Sequence, residues 1–178
     1  MRFRALALAA AAASLLAADA VPAPAASAKS GPNSFGGTCH LTGDFVFDRP
    51  IGSMPQTMSF QDSASGTCSG KLNGVQRDDI PVVNTVSGWG TFSCSFADAH
   101  TSDTLMFDKR YPIRIFTDSA GALTQIVAHT SGAVSGDSVE HVSVLPYTDS
   151  STLEQCQAGA LSSIRYDLDA YTLTPLVG

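Results

Sequence analysis

The side chains in this chain best suited to chemistry are four cysteines, four histidines and one tryptophan. Cys39, Cys68, Cys94 and Cys156 are far apart and form no CxxC pair. Thiolate metal sites usually draw ligands from close pairs, so two disulfides are the expected use of these cysteines in an oxidising compartment. His40, His100, His129 and His141 show no HxH or HExxH spacing. His129 and His141 are, however, symmetric about Ser135. A hairpin folded around "SGAVSGDS" would set them opposite each other, where they could bind a ligand or metal or move protons. Facing solvent, the same pair would be a polar contact only. Trp89 sits in "SGWGTF". Its flanking glycines either expose the indole as a stacking platform for a sugar or apolar ligand, or let a core indole pack under a neighbouring strand.

Other chemistries find less support. "DAHTSD" (Asp98–Asp103) holds Asp, His and Ser, but a Ser–His–Asp triad is assembled from separated segments and no G-x-S-x-G elbow is present. The stretch reads as a hairpin turn. Calcium needs six to eight converging oxygens. "DDIP" and "DLDAY" are sparse for that, and no D-x-D-x-D-G run occurs. The sequence therefore assigns no catalytic residue, no metal ligand and no cofactor.

The elements that must carry these residues read as strands. In "CHLTGDFVF", Cys39, Leu41, Phe45 and Phe47 share a face, and in "TMSF" so do Met58 and Phe60. "VNTVSGWGTFSCSF" (Val83–Phe96) is a longer run, with Phe92, Cys94 and Phe96 alternating. "DTLMFD" and "YPIRIFTD" bracket "KR" as a hairpin, and "LTQIVAHT" and "VEHVSVLP" follow. In "SSIRYDLDAYTLT" Ile164, Tyr166, Leu168, Ala170 and Thr172 alternate with polar residues. Period two with turn punctuation is the strand signature. A helix is expected near 151–158, where Ser151 precedes Glu154 in a capping-box pattern and Gly159 can end it. Eight or nine strands predict an all-β domain, an antiparallel β-sandwich with a closed β-barrel as the alternative.

The echo of "GTCHLTG" (Gly37–Gly43) in "GTCSGKLNG" (Gly66–Gly74) has a geometric reading. A hairpin centred near Ser53–Met54 sets Cys39 opposite Cys68, within disulfide reach at the ~4.5–5.5 Å spacing of antiparallel neighbours. Cys94–Cys156 is then the second bridge. An internal duplication of about 29 residues is the alternative, but the match fades beyond "DRPI" and "DDIP".

Residues 1–20 read as a secretory signal peptide: basic "MRFR", an Ala/Leu-rich core, and "ADA" at a small-x-small cleavage site, with "ASA" (26–28) a second one. Residues 21–37 read as a flexible Pro/Ala/Ser/Gly leader, and 38–178 as one disulfide-stapled β domain. Losing Arg2, Arg4 and Asp19 leaves 8 basic and 15 acidic residues, a net charge of −7. Such a surface repels nucleic acid and anionic lipid. The Ala-rich leader and the preference for Arg over Lys resemble small secreted β-rich proteins of high-GC Gram-positive bacteria. The expectation is a soluble, monomeric, extracellular protein that leaves the membrane once the signal is cleaved. It is expected to bind a protein or glycan rather than to catalyse. "IGSMPQT" (Ile51–Thr57) could serve as a protease-inhibitor-like loop, and Trp89, His129 and His141 as ligand contacts. Two alternatives stand beside this one. A small-molecule-binding barrel with isomerase or cyclase-type activity would need a polar interior, whereas Phe45, Phe47, Phe92, Phe96 and Phe107 look like solid filling. An envelope-associated structural role would need a tether, which only the leader could supply.

Overall fold

A computed structural model describes residues 32–122, 125–131, 136–143 and 150–178, with side chains for 32–121 and 150–178. The expected signal peptide and residues 21–31 of the leader lie outside the described residues.

Alternating polar and apolar residues give long strands, because a period of two puts every second side chain on one face. The order is β1 (Ser34–Ile51), β2 (Gln56–Leu72), β3 (Val75–Ser93), β4 (Phe96–Phe107), β5 (Tyr111–Ala122), β6 (Gln125–Ser131), β7 (Gly136–Ser143), α1 (Ser150–Gln157), β8 (Leu161–Thr172) and β9 (Leu176–Val177). The protein is nearly all β, with one antiparallel sheet and one short helix. Each strand from β1 to β7 pairs with the next along the chain, and β1 pairs with β8 as well as with β2. Two-residue β9 adds to β1 at Ser34–Phe35.

Turn chemistry fixes the registers. Asn73 (φ 52°) and Gly74 (φ 80°) join β2 to β3, the left-handed pair that a tight hairpin demands. The β1–β2 hairpin sets Phe47 opposite Phe60 and Cys39 opposite Cys68. A disulfide joins Cys39 to Cys68, whose Cα atoms are 4.0 Å apart. A second joins Cys94 to Cys156, tying α1 to the turn after β3. Among the described residues no helix is long and apolar enough to cross a membrane.

Three expectations are corrected. The folded strand begins at Ser34, inside the stretch read as leader, because Phe35 is buried and stacks on Phe107 with ring centroids 4.6 Å apart. The run Val83–Phe96 is two strands, not one: Cys94 and Ser95 form the β3–β4 turn, and Phe96 beyond it is exposed rather than core. "DAHTSD" is consequently not a turn but the middle of β4, with Asp98 and His100 outward and Ala99 and Asp103 inward.

Closing a 62-residue loop removes much conformational freedom from the unfolded chain. The double replacement Cys94→Ser/Cys156→Ser is expected to lower stability by about 3–4 kcal/mol. Urea denaturation followed by far-UV circular dichroism measures this. A midpoint unchanged from wild type would show that α1 is held without the bridge.

Candidate functional site

The described core has a polar middle. Inward positions on β2, β3 and β4 carry Asp62, Asn84 and Asp103, each at least nine-tenths buried. Asp62 and Asp103 share one row, with Val86 between them on β3. Ordinary interstrand spacing puts their Cα atoms roughly 10 Å apart. Asn84 lies two residues from Val86, opposite Ala64 on β2 and Leu105 on β4.

An aromatic group surrounds this row. Phe45 lies 4.9 Å from the Tyr166 ring and 5.4 Å from Phe60, and Phe60 meets Phe92 edge-on at 5.2 Å. Two glycines make room for the rings. Gly43 on β1 lies opposite Tyr166 on β8 and Ala64 on β2. A Cβ there would come within 2.7 Å of the Tyr166 hydroxyl. The bare backbone lets Tyr166 reach across β1 and donate a hydrogen bond to Asp62 Oδ2 at 2.6 Å. Gly88 on β3 is similarly filled by the Phe60 ring, 2.8 Å from where its Cβ would stand. Of the two glycines beside Trp89, Gly88 therefore serves the inner face of the sheet, while a Cβ at Gly90 would strike the β4 backbone at Asp98.

These side chains line a cavity of about 80 Å³, together with Thr101, Thr117 and Ser119. A second void of about 50 Å³ shares Asn84, Asp103 and Leu168 with it. Asp62 Oδ1, Asn84 Oδ1 and Asp103 Oδ1 are buried without a hydrogen-bond partner. Each such orphan costs about 1–3 kcal/mol unless a ligand or water supplies a donor. Among the described lining residues none is basic.

Burial disfavours the charged form of a carboxyl. It pushes Asp62 up to about 7, against the Tyr166 hydrogen bond, with Asp103 and Asp44 adding repulsion. Asp103 is pushed up to about 6 by burial, against hydrogen bonds from Thr101 and Thr117.

No protein-family model, curated protein or solved structure matches the chain.

The residues singled out in the sequence lie elsewhere. Trp89 faces outward, 55% exposed, with its ring 4.4 Å from His100. His100 Nδ1 hydrogen-bonds Asp118 Oδ1, and His40 Nδ1 hydrogen-bonds Asp169 Oδ1 at 2.7 Å, all at exposed positions. The expected His129–His141 pair is corrected. The β6–β7 register sets His129 opposite Asp137 rather than His141, because the hairpin is centred near residue 133 and not at Ser135. His129 also pairs with Asp118 on β5, and His141 pairs with Asp169 on β8. All four histidines thus fall in two rows, His100–Asp118–His129 and His40–Asp169–His141. No within-strand spacing could reveal these rows, since each is built across three strands.

The interior carboxyls were missed because each reads as a routine polar residue. Period two was the available signal: Asp62 follows Met58 and Phe60 at the same parity, and Asp103 precedes Leu105 and Phe107.

Two measurements test this interior. Below pH ~4 both carboxyls are protonated in the folded and unfolded chain alike. Between pH 4 and 7 the unfolded chain gives up protons that the folded protein keeps, so stability falls as pH rises. For Asp62 the loss is on the order of 3 kcal/mol. Thermal melts of wild type and Asp62→Asn from pH 4 to 8 should show that slope flattened in the variant; parallel curves would contradict the buried, protonated carboxyl. Second, Gly43→Ala should cost about 1–3 kcal/mol, because its Cβ would strike the Tyr166 ring and the Ala64 Cβ, and the part due to the ring should vanish in a Tyr166→Ala background.

Proposed function

We propose that the protein is a secreted, soluble binding domain that takes a small molecule into its interior. The observation that carries this reading is the set of three buried oxygens without partners, all facing one aromatic-lined cavity. Native interiors seldom leave such atoms unsatisfied, and the exceptions mark functional sites or bound molecules. A largely apolar cavity with a few convergent polar groups is the usual form of a small-molecule site.

We further read the sheet as a closed barrel, the alternative to the sandwich. What supports this is that β1 to β8 each have two partners and the β1–β8 ladder joins the ends of the series. Eight strands are the number at which a barrel interior is filled by side chains or holds one small ligand. Convex outer faces splay side chains apart, whereas inner faces bring them together. His40, His100, Asp118 and Asp169 are exposed, whereas Asp62, Asn84 and Asp103 are buried, so convergence favours the interior. Outward positions such as Gln61, Ser63, Thr85 and Ser87 are polar, unlike the apolar belt of a lipid-facing barrel. Two disulfides suit the extracellular compartment.

A protein or glycan ligand has weaker support. Met54 in the Ile51–Thr57 loop is 73% exposed, but an exposed hairpin tip is ordinary. Trp89 offers one open aromatic surface, beside His100. Catalysis inside the barrel, of the isomerase or cyclase kind, has one observation in its favour: the Asp62 carboxyl, hydrogen-bonded to Tyr166, is held near 7, where a group can both take and give a proton.

Ligand-observed NMR with a library of small neutral and charged fragments tests the reading. Fragments are expected to bind wild type and to lose binding in Ala99→Leu, which fills the cavity from β4. Binding that survives the filled variant, or a library with no binder, would sink the interior site.

A further inference from the structure

The chemistry of the ligand follows from the polar atoms left open, and it rests on the cavity being the binding site. Asp62 Oδ1, Asn84 Oδ1 and Asp103 Oδ1 are all acceptors. The Tyr166 hydroxyl proton is already directed at Asp62 Oδ2. The Thr101 and Thr117 hydroxyls bond to each other and favour the ionised form of Asp103. The site therefore has a surplus of acceptors and needs a molecule rich in donors. Its charge points the same way. Two carboxyls face the cavity, Asp44 adds negative potential at Asp62, and no described lining residue is basic. Aromatic faces attract cations within about 6 Å of the ring centre, and Phe45, Phe60 and Tyr166 stand around the carboxyl row.

Three ligand classes fit poorly. An anion would meet two uncompensated carboxyls. A purely apolar molecule would leave all three acceptors dry. A hard metal ion such as calcium needs six to eight oxygens around it, and most of this lining is aromatic and aliphatic carbon.

We infer that the interior binds a compact organic cation bearing N–H donors, an alkylammonium or amidinium, with its N–H groups on Asp62, Asn84 and Asp103 and its carbon skeleton against Phe45 and Phe60. A cavity of about 80 Å³ limits it to a small molecule, below the benzene-binding cavities of about 150 Å³.

The test is calorimetric titration of the oxidised protein at pH 7.5 with a matched series: ethylammonium, acetamidinium, ethanol and acetate, with calcium chloride in parallel. The cations are expected to bind at least tenfold more tightly than ethanol, and acetate not at all. Asp62→Asn and Asp103→Asn should each weaken the cations tenfold or more and leave ethanol unchanged. Should either variant fail to fold, wild type carries the test alone. Its affinity for ethylammonium should fall as pH drops from 7.5 to 5, while that for ethanol stays level, because among the described residues the cavity-lining groups that titrate there are Asp62 and Asp103. If ethanol binds as tightly as ethylammonium and Ala99→Leu abolishes both, the cation is overturned while the interior site stands. Binding of calcium alone, lost in the aspartate variants, would replace the organic cation with a metal. If no probe binds wild type, the interior site and the cation fall together.

Discussion

The hydrogen bond from Tyr166 to Asp62 organises the inside of this protein. It links β8 to β2 across an intervening strand, and it exists only because β1 offers bare backbone at Gly43. A carboxyl in an apolar setting must be neutral, paired or hydrogen-bonded. Tyr166 satisfies one oxygen of Asp62 and leaves the other facing the cavity. The ring that delivers the hydroxyl also packs against Phe45. The aromatic lining and the polar centre are thus one arrangement, and a change at Gly43, Asp62 or Tyr166 is felt by the other two.

Holding such a centre requires a stiff frame. Cys39–Cys68 clamps β1 to β2 near the Phe35 end, where Phe35 and Phe107 stack. Cys94–Cys156 pins α1 near the opposite end, where Gly52 accepts a hydrogen bond from the Cys94 N–H and Ile51 is fully buried. Apolar packing and one covalent link therefore stand on each side of the polar middle. Confining the orphaned oxygens between two reinforced ends lets the protein tolerate them, since collapse around the cavity would have to move strands that are cross-linked and paired on both edges.

Much of the strand pattern was legible in the sequence, and the reason is physical. Alternation over Leu41–Phe47 and Ile164–Thr172 records which face meets the core, so those strands and the β1–β2 centre near Ser53–Met54 follow from pattern and turn chemistry alone. Boundaries were less legible where one residue type can do two things. Cys94 and Phe96 continue an apolar alternation, yet the chain turns at Cys94–Ser95. "DAHTSD" has the composition of a turn but sits between strands that supply its hydrogen bonds. Histidine spacing along the chain suggested one pair across a hairpin. Register, which moves by whole residues when a loop length changes, instead set each histidine against an aspartate.

The site itself was illegible for a deeper reason. A sequence shows that Asp62 shares a parity with Met58 and Phe60, but parity does not separate an inward aspartate from a strand that twists or bulges to release it. What separates them is whether a donor waits inside, and Tyr166 is more than a hundred residues away, at a separation of 104. Its parity in β8 marked it as a core residue, and a buried tyrosine needs a partner for its hydroxyl. An inward aspartate on one strand and an inward tyrosine on another, with a glycine at the inward position of the strand between, is a pattern that could be sought once strand neighbours are known. Stability alone does not explain keeping it. Replacing a buried polar group with a well-packed apolar one of similar volume is often neutral or stabilising. Asp62 and Asp103 leave oxygens unsatisfied and titrate near neutrality, so the apo fold carries a cost that an apolar core would avoid. A molecule with matching donors would recover that cost, because the same oxygens would then contribute to binding.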